Sequence, residues 1–116
     1  MKKKLNLIEL NEINFDIIRR YVELNSRQFP GFSKLFSLKG FRTISEDRYE
    51  LIEPWIQWAS VHTEKSYQEH KIFRLGDIVD FKGPQIFEAI EALGFSVGCV
   101  SPMNTENRLE KPAFFI

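Results

Sequence analysis

The chain has 116 residues and a mass of 13.7 kDa, a length that predicts one domain with a modest core. Hydrophobic residues at 43% and charged residues at 28% exclude a disordered chain, and 16 basic against 16 acidic side chains argue against a nucleic-acid binder held by phosphate contacts. No apolar run approaches the roughly 18 residues of a membrane span, no secretory signal opens the chain, and the lone Cys99 excludes an internal disulfide or a Cys-rich zinc site, so a cytoplasmic protein is expected.

Leu5 to Leu10 is short and largely apolar, and it predicts a first strand covered on both faces, as in a parallel sheet. Asn14 suits a helix cap, and Asp16 complements the positive end of the helix that follows. Phe15, Ile18 and Val22 recur at helical spacing until Asn25-Ser26 ends the pattern. A second short helix is predicted from Pro30, with Phe32, Leu35 and Phe36 on one face and Gly40 as its stop. Phe41 to Ser45 reads as a strand. Pro54 opens a third helix carrying Trp55, Trp58, Ala59 and His62 at i, i+3, i+4 and i+7.

Residues 63 to 81 are polar, with Ser66 and Glu69 at capping-box spacing. Gly83-Pro84 begins the clearest helix, with Ile86, Phe87, Ile90 and Leu93 on its apolar face and Gly94 at its end. Phe95 to Val100 follows as a buried strand. Strand, helices, helix and strand together predict an α/β fold, a parallel-sheet layer flanked by helices, as one domain over residues 1–116. The closing Lys111-Pro112-Ala113-Phe114-Phe115-Ile116 either docks as a last strand or marks a chain cut from something longer.

In such a layer ligands bind beyond the carboxyl ends of the strands. The first strand delivers Asn11 and Glu12 to that edge, where oxygen donors suit a hard cation. The Glu53-to-Trp58 segment turns into a helix N-terminus that suits an anion, with Trp55 and Gln57 as candidate ligand-binding side chains. His62 lies on the apolar stripe and reads as a core histidine. His70 lies in a polar stretch and is the better functional candidate. Ser60 and Thr63 are the nearby hydroxyls.

Leu7-Ile8-Glu9-Leu10-Asn11-Glu12 resembles the first strand and turn of the alkaline phosphatase superfamily, in its type I phosphodiesterase/nucleotide pyrophosphatase and sulfatase-like branches. Pro30-Gly31-Phe32-Ser33-Lys34-Leu35-Phe36 is similar to that group's P-N-F-x-x-L element, residues 60–70 to its T-G-x-x-P-x-x-H-G segment, and residues 86–98 to its next helix and strand. The resemblance implies an N-terminal portion of a metal-dependent phosphoester or sulfoester hydrolase. It places Asn11, beside Glu12, where the family has a metal-binding Asp. It sets the nucleophile position near Pro54, which has no hydroxyl or thiol, leaving Thr63 and Ser60 as substitutes. The expected activity of this chain is therefore none. Zinc, manganese or calcium is expected to bind weakly or not at all. The alternative is a non-catalytic module that binds an anionic small molecule or a partner protein, or a structural fragment that self-associates through an open sheet edge.

Overall fold

A computed structural model describes residues 4–116. The chain divides into two compact units between Ile44 and Ser45.

In the first unit, α1 spans Phe15–Leu24 and α2 spans Pro30–Phe36. The start of α1 is set locally: the Asn14 side-chain oxygen accepts from the backbone N–H groups of Asp16 (3.1 Å) and Ile17 (3.0 Å). Pro30 supplies a pre-set first helical residue for α2. Phe15 meets Phe36 edge-on at 6.2 Å, and the Arg19 guanidinium lies 4.4 Å from the centre of the Phe36 ring. No described residue of this unit is fully buried.

The second unit holds the core. Helix α3, Pro54–Thr63, begins at Pro54 and ends where Glu64 turns left-handed at φ 55°. It buries Ile56, Ala59, His62 and Thr63. Helix α4 is the single turn Tyr67–His70, capped by the Glu69 carboxylate, which accepts from the backbone N–H and the hydroxyl of Ser66. Helix α5, Ile86–Ala92, starts from the same device, with the Gln85 N–H donating to Glu88 at 2.6 Å. It ends at Gly94, whose φ of 83° suits glycine. Short 3₁₀ turns cover Tyr49–Leu51 and Asp77–Asp80.

Strands β1 (Gly98–Cys99) and β2 (Phe114–Phe115) pair in parallel, with Gly98 opposite Phe114. The Ala113 and Ile116 N–H groups also donate to the Val97 (2.7 Å) and Cys99 (3.1 Å) carbonyls. At Gly98 an added Cβ would lie 2.5 Å from the Phe114 ring, so any side chain there would have to displace that ring. Two hydrophobic clusters form. Phe87, Val97, Cys99 and Leu109 pack with Ile86, Ile90 and Phe115; Ala59, Ile72 and Ile78 pack with Phe81. Each fully buried aliphatic or aromatic side chain contributes about 1.5–3 kcal/mol.

This architecture corrects the α/β expectation. The described residues form a mostly helical fold with one open two-stranded sheet, not a helix-flanked parallel layer and not the sheet core of an alkaline phosphatase-like protein. Residues 5–10 form no strand, and Leu5 and Ile8 are 77% and 76% exposed. Residues 41–45 form none either. The physical reason lies in pairing. An apolar run has strand character, but its backbone groups need a neighbouring strand, and the partner of β1 is β2. The tail does dock as a last strand, through Phe114–Phe115. The connection from β1 to β2 carries no helix. No helix among the described residues is long and apolar enough to cross a membrane.

Candidate functional site

Ser60 on α3 and His70 at the end of α4 come together, with Ser60 Oγ 3.0 Å from His70 Nε2. A serine beside a histidine suggests a nucleophile and its base, but the second ring nitrogen decides against this. His70 Nδ1 accepts the backbone N–H of Ile72 at 2.9 Å. An acceptor nitrogen carries no proton, so in the neutral ring the proton sits on Nε2 and is donated to Ser60. In a working dyad the base nitrogen faces the hydroxyl as an acceptor, held there by a carboxylate on the other side of the ring. The polarity here is the reverse. Burial pushes the His70 imidazole below the usual histidine range; Glu46 and Glu69 oppose this, and Lys71 adds to it. His70 is 5% exposed and also meets Tyr67 edge-on at 5.8 Å.

The other predicted residues of the second unit are engaged as follows. The Thr63 hydroxyl is buried and donates to the Ala59 carbonyl at 2.7 Å. Gln57 donates to the Leu51 carbonyl at 2.7 Å. Pro54 is the first residue of α3. His62 is fully buried, stacked on Trp58 at 5.8 Å and tilted against Phe87 at 5.2 Å. Trp55 is half-buried, and its indole N–H donates to the Phe73 carbonyl at 3.1 Å. Beside it opens a cleft of about 390 Å³, lined mainly by Tyr49, Glu53, Trp55, Phe73, Arg74 and Leu75.

Asn11 and Glu12 lie in the first unit, in the turn before α1. Glu12 adopts φ 55° and borders a shallow hollow with Asn14, Asp16 and Arg42. The Asn14 oxygen in that hollow is already occupied as the cap of α1.

Three residues that sequence reasoning missed hold the second unit together. Asn104, buried at φ 48°, donates to the Trp55 (2.9 Å) and Arg74 (3.3 Å) carbonyls and accepts from the Gly76 N–H (3.0 Å). Gln85, 1% exposed, donates to the Glu106 carbonyl (2.8 Å) and accepts the Glu106 N–H (3.3 Å). Arg108 donates to the carbonyls of Gly83 (3.1 Å) and Ile78 (2.8 Å) and pairs with Glu106 at 2.5 Å. The available signal was weak: Asn in a polar Met103-to-Asn107 stretch is the side chain that best tolerates a left-handed backbone.

Comparison with known proteins finds no family model, curated protein or solved structure that matches this chain. The resemblance to the alkaline phosphatase superfamily is therefore not upheld. Its hydrolase chemistry is overturned as well: among the described residues no three His, Cys, Asp or Glu side chains gather where a metal could be held. Among the described residues there is also no sheet core that would carry such a centre.

Proposed function

We propose that this chain is a non-catalytic interaction module that associates through the open edges of its β1–β2 pair. The observation that carries this reading is the sheet itself. Each strand has a neighbour on one side only, among the described residues, and exposed apolar side chains surround the pair. Val100 is 69% exposed, Ile116 76% and Phe114 49%. Unpaired strand edges beside apolar surface are templates for another strand. Burying these side chains against an added strand removes apolar area from water while the edge gains backbone hydrogen bonds. The occupant proposed is a second copy of this chain.

The reversed Ser60–His70 polarity supports a module without chemistry. An anionic ligand at the start of α3 fits less well, because Glu53 stands at the cap of that helix and Glu50 lines the same cleft. Light scattering over a concentration series tests the proposal. The expected result is a mass that rises above the 13.7 kDa monomer with concentration. Val100→Lys and Ile116→Lys, which charge the exposed edge, should return the protein to monomer. A monodisperse monomer at every concentration sinks the self-association reading. Association that persists in both variants removes the sheet edge from it.

A further inference from the structure

The cleft at the start of α3 is a second, separate feature, independent of the sheet edge. We propose that it binds a small quaternary ammonium cation of the choline type. Tyr49, Trp55 and Phe73 line it, and Leu75 adds an apolar wall. Aromatic faces carry negative potential and attract a cation within about 6 Å of the ring centre. A quaternary ammonium holds its water weakly, so it gives up little hydration on entering a half-open aromatic hollow. The Trp55 indole N–H, tied to the Phe73 carbonyl at 3.1 Å, links two of the three aromatic positions before any ligand arrives.

Charge points the same way. Two carboxylates, Glu50 and Glu53, line the cleft, and Glu50 is also paired with Arg48. Arg74 is the opposing charge in the cleft. Asp77 accompanies it, accepting the backbone N–H groups of Phe73 (3.1 Å) and Arg74 (2.8 Å). Glu53, at the cap of α3, offsets the positive end of the helix. An anion entering here meets carboxylates, whereas a compact, strongly hydrated cation gains little from aromatic walls.

Nuclear magnetic resonance titration of the Trp55 indole N–H tests this with the whole chain. Choline should give a saturable shift. Its neutral isostere, with carbon in place of the nitrogen (dimethylbutanol), should bind about tenfold more weakly or worse. Tyr49→Leu and Glu53→Gln should each weaken choline about threefold or more. Tyr49 is 83% exposed and the Glu53 side chain caps no N–H, so both variants should keep the fold, checked by circular dichroism. Equal response to choline and the isostere overturns the proposal, as does choline binding that neither variant alters. Tighter binding of a trimethyllysine peptide than of choline overturns the assignment to a free small molecule.

Discussion

Acidification should destabilise this protein through His70, and the size of the effect follows from two hydrogen bonds. Neutral His70 accepts the Ile72 N–H at Nδ1 (2.9 Å) and donates from Nε2 to Ser60 (3.0 Å). Protonation places a second N–H on Nδ1, opposite the Ile72 N–H. That bond is lost, and a buried backbone donor loses its acceptor, which costs about 1–3 kcal/mol. The sign follows from linkage. Burial holds the folded imidazole below its ordinary value, whereas the unfolded imidazole titrates near about 6.5. Above that value both states are neutral and the contribution is fully present. As pH falls below it, the unfolded chain takes up the proton first, and stability is lost until the folded imidazole is protonated too. Urea unfolding at a series of pH values from about 7.5 down to about 5 measures the loss. His70→Asn is the matched control. Its side-chain oxygen can take the place of Nδ1 toward Ile72 and does not titrate, so stability near neutral pH should largely survive while the pH slope shrinks. An unchanged slope in His70→Asn, or wild-type stability that rises on acidification, would refute the reasoning.

The same geometry predicts the Nε2–H tautomer for His70 at neutral pH, and nitrogen-detected imidazole spectra showing the proton on Nδ1 would contradict it. Asn104→Ala should cost about 2–4 kcal/mol in urea unfolding, since it leaves the Gly76 N–H and two carbonyls without their partner and puts alanine at φ 48°; a loss below about 0.5 kcal/mol would show that water replaces the clamp. Phe87→Ala should cost about 3–5 kcal/mol, because Phe87 packs with Val97, Cys99 and Leu109 and meets both His62 and Phe115. Gly98→Val should displace the Phe114 ring, and faster amide exchange at residues 113–116 is the readout; unchanged protection there would mean that the ring swings aside freely.

Helix starts were legible in the chain because the groups that decide them lie within three residues of one another. Asn14 caps α1, Pro30 and Pro54 open α2 and α3, the Ser66–Glu69 pair closes a capping box, and Gly94 stops α5. Such devices satisfy free N–H and C=O groups locally, whatever the rest of the protein does. Strand partners were not legible. The apolar runs at residues 5–10 and 95–100 look equally strand-like, yet the tail at 114–115 is the neighbour of β1. Hydropathy marks which side chains favour leaving water but does not supply the distant backbone that must pair, and Leu5 and Ile8, with no strand partner, stay exposed; the parallel-layer expectation failed at that step. The candidate site divides in the same way. Hydroxyls and histidines could be named from the chain, but His70's role depends on the Ile72 N–H and on Ser60, 10 positions back on another helix. Asn104 closes on Trp55 across 49 positions of sequence. Only the tertiary structure decided these, because a buried polar group takes its function from whichever donor or acceptor folding brings to it.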